Sequence, residues 1–392
     1  MAPHTPHRLG RAPVEPARGS GTGRSLMTER PLGYERRFGS GWISGVCAVA
    51  LGALGAGAVL CIRYPALLTV PDARALYPME LIRFAIQLVL VGAFGLALLS
   101  IVLSRRAPLG LTALALVVTA LLLGGSQVDV GSLEGARYLG LDWFLLNVLV
   151  LAMLFVPLEQ IFARLPQRVL RPGWTTDLAH FAVSHLLVQL TVLLTLMPAA
   201  IFFRWAVHPA IHAAVASQPY VVQFVEILVL ADLSEYAIHR LFHAVPLLWR
   251  FHAVHHSSEV MDWLAGSRMH LVDVLVTRAL VFVPLYVLGF SPPAVYAYLV
   301  FVSFHAVFIH ANVRFRFGHL AHLIATPQFH HWHHAAAREA IDRNFAVHLP
   351  VLDRLFGTYY MPADRWPTAY GIEGGPVPAT YARQLLYPFR RR

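Results

Sequence analysis

"HRLFHAVPLLWRFHAVHHS", from His239 to Ser257, carries five histidines in two spacings. His239 and His243 form H-x3-H. His252, His255 and His256 form H-x2-HH. The second spacing returns at His330, His333 and His334 inside "TPQFHHWHHAAAREAIDRN" (Thr326–Asn344), and "FHAVFIHAN" adds His305 and His310. On a helix, residues three and four apart share a face, with Cβ atoms about 5–6 Å apart. Two imidazoles of each motif can therefore converge on one metal ion, and the third nitrogen of H-x2-HH can reach a neighbouring ion. A tetrahedral or octahedral ion takes about four to six ligands. At least eight patterned imidazoles imply two ions.

The donor set narrows the metal. Imidazole suits Zn, Cu, Fe and Ni. The two cysteines, Cys47 and Cys61, lie in one apolar segment and read as packing residues, so no thiolate site forms. As a helix that segment would hold them roughly 21 Å apart, too far to bridge. Arg240 follows His239, so the HExxH of zinc proteases is absent. The Glu-x-x-His pairs of carboxylate-bridged di-iron bundles are absent too. His4 and His7 lie in the N-terminal tail. His180, His185, His208 and His212 have no partner pattern and carry no assigned role.

The rest of the chain reads as membrane protein. Of 392 residues, 57% are hydrophobic and 13% charged, with mean hydropathy +0.57. That is too little polar surface for a soluble globule of this size. All 31 basic residues are arginine, which excludes Schiff-base and Walker-A lysines. The net charge of +10 comes from arginines at the ends of apolar segments, a pattern of membrane topology and not of nucleic-acid binding.

Apolar stretches at about 41–62, 80–103, 107–124, 142–163 and 177–203 are long enough, or nearly so, to cross a hydrocarbon core of about 30 Å. The segment 220–243 runs back. The segment 271–310, broken at Gly289–Pro293, suits a helical hairpin. Residues 1–40, with seven Arg against three Glu, read as a disordered tail. The tail, Arg105/Arg106 and Arg164/Arg168/Arg171 fall on one side if the spans alternate. The positive-inside rule makes that side cytoplasmic, and every histidine-rich stretch lands there. The expected fold is all-α: a polytopic membrane protein with a cytoplasmic, helical, His-rich di-metal cap. Three parts are expected, namely a basic cytoplasmic tail at 1–40, accessory transmembrane helices at 41–140 and a catalytic domain at 141–392.

Over roughly 175–390 the chain resembles the fatty acid hydroxylase/sterol desaturase superfamily of integral-membrane di-iron oxygenases. The resemblance rests on "DLSEYAIHRLFHAVPLLWRFHAVHHSS", "FIHAN", "TPQFHHWHH" and "DRNFAVHLPVLDRLFGTYY". It implies metal ligands at His239, His243, His252, His255, His256, His270, His310, His330, His333 and His334. His331 would point away, and His319, His322 and His348 would be surface or packing residues. Asp232, Asn312, Asp342 and Asn344 are candidates to hold the ligating imidazoles from behind.

The resemblance further implies two Fe ions, with zinc a competitor for the imidazoles, and O2 as co-substrate. The substrate would be a lipid from the bilayer, and the product an alcohol or a desaturated chain. Electrons would come from a separate donor of cytochrome b5 or ferredoxin type. The location would be the inner membrane of a bacterium. The alternative is a His-rich membrane protein that binds or transports metal without oxygenase activity.

Overall fold

The computed structural model describes residues 41–390 except 72–77, 104–106, 135–137, 364 and 376. The tail at 1–40 and Arg105/Arg106, on which the charge argument partly rests, lie outside the described residues.

The architecture is helical throughout, with two isolated β-bridges and no strand among the described residues. The main helices are α1 (Trp42–Arg63), α2 (Met79–Leu103), α3 (Pro108–Leu122), α4 (Leu141–Ile161), α5 (Trp174–Leu186), α6 (Val188–Phe203), α7 (Tyr220–Ala244), α8 (Pro246–His256), α9 (Leu271–Leu288), α10 (Pro292–His310) and α11 (Pro327–His333). Six helices are long and apolar enough to cross a bilayer: α1, α2, α3 (extended to Gln127), α4, α9 and α10. Their outward residues are large and apolar, as at Val102, Leu122 and Met153. That pattern suits lipid contact and would be unstable in water. The chain is a multi-pass membrane protein.

Two expected spans differ in detail. The stretch 177–203 is interrupted at Leu187, which leaves helical geometry between α5 and α6. Leu193–Ala206 then pairs with Pro209–Ala216 at a bend of 117°. Pro209 explains the bend: the residue before a proline is pushed out of the helical region, and His208 is extended. Helix α7 forms as expected, but it carries Glu226, Asp232, Glu235 and Arg240 and is not among the six apolar helices. The 271–310 hairpin forms as read. Helix α9 ends at Gly289 in the left-handed region, and α10 restarts at Pro292.

Helix α1 packs on α2 and α3. Its buried face is small: Gly45, Ala48, Gly52, Gly55 and Ala56. Small faces let backbones approach closely, which is how helices associate in lipid. Cys61 is buried there as expected, whereas Cys47 sits on the exposed side of α1. A second group is built on α7, which packs on α8, α9 and α10, while α9 also packs on α6. Ile227, Ala231, Ile238 and Phe242 meet Val281, Leu285, Phe290 and Tyr298 in its core. Helix α1 also touches α4.

A Cβ on Gly110 of α3 would meet the Ala97 carbonyl oxygen at 2.7 Å. Gly110→Val is therefore expected to disrupt the α2–α3 packing and lower Tm by several degrees, in line with roughly 1–3 kcal/mol of overpacking. Metal content per chain should stay unchanged, and elemental analysis of the purified variant checks the separation of 41–140 from the site.

Candidate metal centre

The ends of α7, α8 and α10, together with α11, bring nine histidines to one place. His239, His243, His252, His256 and His333 form one group, and His255, His310, His330 and His334 a second. Within each group, one ring nitrogen per residue lies within 4.8 Å of all the others. The H-x2-HH spacing divides itself. In α8, His252 and His256 serve the first group and His255 the second. In α11 the order inverts: His330 and His334 serve the second group and His333 the first. The groups adjoin, with the His256 and His334 ring centroids 4.5 Å apart. All nine side chains are buried except half-buried His243.

The nitrogens are spaced like ligands. His239 Nε2 lies 3.0 Å from His252 Nε2, and His243 Nε2 lies 3.2 Å from His256 Nε2. In the second group, Nε2 separations are 3.4 Å for His310–His255, 3.0 Å for His330–His310 and 3.1 Å for His334–His330. Metal–imidazole bonds of about 2.1 Å place neighbouring nitrogens roughly 3.0 Å apart at right angles and roughly 3.4 Å apart at the tetrahedral angle.

The protonation pattern points the same way. His239 Nδ1–H donates to the Phe345 carbonyl at 2.8 Å and His252 Nδ1–H to Asp273 Oδ2 at 2.7 Å. His255 donates to the Arg268 carbonyl at 3.1 Å, His310 to the Ala306 carbonyl at 2.6 Å and His333 to the Arg343 carbonyl at 2.8 Å. Each neutral ring therefore turns an Nε2 lone pair inward. The His239–His252 and His255–His310 contacts set lone pair against lone pair, which is repulsive unless a cation lies between them. Among the described residues, the buried His333 Nε2 has no hydrogen-bond partner. This donor set fits metal ions. Burial first, and then the neighbouring imidazoles, hold His252, His256, His330, His333 and His334 well below the ordinary histidine range, and burial holds His255 down to about 3. They are neutral, as ligands must be.

Other sequence candidates fall elsewhere. His270 caps the N-terminus of α9: its Nδ1 accepts from the Val272 N–H at 3.1 Å, and its Nε2 donates to the Leu385 carbonyl at 3.1 Å. It joins neither group, because both ring nitrogens are engaged. His331 points away, between the Tyr370 hydroxyl and the His310 carbonyl. His305 and His348 face each other through Nδ1 at 2.9 Å, outside both groups. His180 bridges the Met269 carbonyl and Gln384.

Of the four backing candidates, only Asp342 touches a grouped histidine, accepting from His243 Nδ1 at 3.1 Å. Asp232 instead accepts three backbone N–H groups, from Val347, His348 and Leu349. Three donors in a row out-compete one imidazole for a buried carboxylate. Asn312 clamps Leu165 through both its N–H and its carbonyl. Asn344, held at φ 58, ties the Phe329 and Tyr360 carbonyls together. These residues position loops, not rings. Asp273 was missed as a backing group. Its one signal is an acid in the first turn of a mostly apolar helix.

Fold and site together define a class: a multi-pass membrane protein with two adjoining polyhistidine groups beside its apolar helices. Residues 224–358 match the fatty acid hydroxylase family model. Over these residues the chain is similar to the fatty acid hydroxylase/sterol desaturase superfamily. It is 37% identical over 175 residues to an ornithine lipid hydroxylase of Rhizobium tropici, which covers 44% of this chain and 52% of that protein. It is 34% identical over 142 residues to human alkylglycerol monooxygenase, covering 36% of this chain and 31% of that protein. A fatty acid hydroxylase of Lecanicillium is 30% identical over 178 residues, covering 40% and 45%. The chain thus spans about half the length, or less, of these curated relatives. No solved structure matches.

Two outcomes are expected. Asp273→Asn should weaken metal affinity roughly 10- to 100-fold in a chelator competition, the usual cost of losing the group behind a ligating histidine. Asp342→Asn should cost less, because that carboxylate is 64% exposed. Second, the grouped histidines bind fewer protons folded than unfolded. The stability they confer is complete above the unfolded pKa of about 6.5 and is lost as pH falls toward the depressed folded values. Metal retention after desalting and Tm should both fall together between about pH 6.5 and pH 4.

Proposed function

We propose that the chain is a membrane-bound di-iron oxygenase that hydroxylates or desaturates an unactivated C–H bond of a lipid. The carrying observation is the pair of adjoining imidazole groups whose Nε2 lone pairs face one another. His239, His243, His252, His256 and His333 hold one ion; His255, His310, His330 and His334 hold the other. The family match and the names of the relatives support the oxygenase reading over a metal-binding or metal-transport role. The chemistry such a pair of irons supplies is O2-dependent oxidation, with the balance R–H + O2 + 2 e⁻ + 2 H⁺ → R–OH + H2O.

The chain's own groups do the rest. Asp273 and four carbonyls fix the tautomer and aim of five rings. Pre-organisation of this kind removes ligand reorganisation from the reaction. Burial of both groups excludes bulk water, which would quench a strong oxidant. Setting the centre at the ends of apolar helices lets a lipid reach it from the bilayer. A separate donor, of cytochrome b5 or ferredoxin type, brings the electrons. We place the centre and the N-terminus on the cytoplasmic side of a bacterial inner membrane, supported by the arginine distribution. Residues 141–392 form the catalytic part, and 41–140 an accessory membrane region.

Full-length protein reconstituted with donor, O2 and total lipid should yield a product heavier by one oxygen or lighter by two hydrogens. His333→Ala should abolish product while the protein stays inserted. Arg240→Ala, an exposed neighbour of His239, should retain it. Tight metal binding with no O2-dependent lipid product, measured by mass spectrometry, would sink the oxygenase reading.

A further inference from the structure

Two of the membrane-long helices, α4 and α10, end side by side. Ala163, just past α4, bridges Val313, just past α10, and Asn312 clamps Leu165. The chain leaving α4 mixes two kinds of exposed residue. Phe162, Leu165, Val169 and Leu170 are apolar and exposed, and Arg164 and Arg168 stand among them. That mixture suits the boundary between hydrocarbon and headgroups, where apolar groups sink and guanidinium stays at the surface.

A cavity of about 480 Å³ opens at this boundary. Leu165, Pro166, Val260 and Met261 give it apolar walls, and three arginines line it. Arg171 is spent on Asp177 and Asp262. Arg164 has only neutral partners. Its Nη1–H donates to the Tyr370 hydroxyl at 2.9 Å and its Nη2–H to the Pro367 carbonyl at 2.7 Å. Its guanidinium lies 4.8 Å from the Trp366 ring centroid. Arg168 is exposed. Among the described residues, neither Arg164 nor Arg168 pairs with a carboxylate. Glu259 is the one acid among the lining residues. Two guanidiniums against one carboxylate leave the cavity positive.

The cavity lies one ring from the metal centre. The Tyr370 hydroxyl donates to His331 Nδ1 at 2.8 Å, and His331 Nε2–H donates to the His310 carbonyl at 3.2 Å. His331, which serves neither metal group, thereby ties the cavity wall to the second one.

A guanidinium aimed by neutral acceptors keeps its charge for a ligand, and it grips phosphate or carboxylate at two points. We infer that this cavity seats the headgroup of an anionic lipid, its acidic group between Arg164 and Arg168 and the start of its chains along Leu165, Val260 and Met261. Cavities of roughly 300–1,000 Å³ take whole organic ligands, so a free inorganic ion would leave most of this one unfilled. An acidic protein docked over the arginines would leave the apolar walls wet. An anionic lipid covers both, and it is drawn to arginines at a membrane surface. The inference stands whatever reaction the neighbouring centre performs.

The test is a native mass spectrometry titration of full-length protein in non-ionic detergent. The probes are phosphatidylglycerol, diacylglycerol with the same chains, and soluble glycerophosphoglycerol. Phosphatidylglycerol should bind most tightly. Arg168→Gln should weaken it by roughly tenfold, the loss of one hydrogen bond to a charged group. Glu259→Gln should tighten it by roughly threefold, the effect of removing one exposed like charge. Both residues are exposed, so folding and metal content should not change. Arg168→Lys should restore part of the affinity, and Arg338→Gln, an exposed arginine outside the cavity, should have no effect.

Equal binding of phosphatidylglycerol and diacylglycerol would overturn the inference. So would equal losses in Arg168→Gln and Arg338→Gln, the behaviour of diffuse surface attraction. Glycerophosphoglycerol binding as tightly as the lipid would make this a site for soluble anions instead. If Arg168→Gln weakened an acidic cytochrome b5 but left phosphatidylglycerol untouched, the cavity would be a protein-docking surface and the lipid site would be wrong.

Discussion

Imidazole nitrogens that turn their lone pairs toward one another repel, and the cap of this protein forces them together. His239 and His252 meet at 3.0 Å with both Nδ1–H groups already committed elsewhere. The arrangement is stable only around cations, so the proposed ions are part of what holds the cap together. The free energy of metal binding is then also folding free energy. Without metal, desolvated neutral rings would face one another with nothing gained.

Holding those rings requires support from every side, and much of it is backbone. Carbonyls of Phe345, Arg343, Arg268 and Ala306 each take one Nδ1–H. Ala306 lies within α10, and the loops bearing the other three are pinned in turn. Asp353 accepts from the Phe345 and Ala346 N–H groups, and Asp232 from the three that follow. Arg268, whose carbonyl holds His255, pairs with Asp177. Asp177 also pairs with Arg171, which grips Asp262 through two nitrogens at 2.8 Å. This buried network contributes more to positioning than to net stability, because desolvation offsets most of its Coulomb energy.

Helical periodicity made the H-x3-H and H-x2-HH members legible, since that spacing fixes which rings share a face. Apolar length made α1, α2, α3, α4 and the α9–α10 hairpin legible. The same spacing showed that a third ring of H-x2-HH can reach a second ion; which ring joins which group was not legible, because it depends on the crossing of α8 and α11. Asp232 misled because register along one helix favoured it, whereas a loop distant in sequence claims its carboxylate. Asp273 escaped notice because its partner, His252, lies 21 residues away on another helix. His270 resembles a ligand in its motif but is spent on a helix cap. The break at Leu187 had no clear local signal.

X-ray absorption on iron-loaded, full-length protein bears most directly on the nine-histidine centre. The account predicts two iron ions per chain, each with a first shell of nitrogen and oxygen at about 2.1 Å and strong outer-shell imidazole scattering. A single tightly bound ion per chain, or a shell with little imidazole scattering, would contradict it.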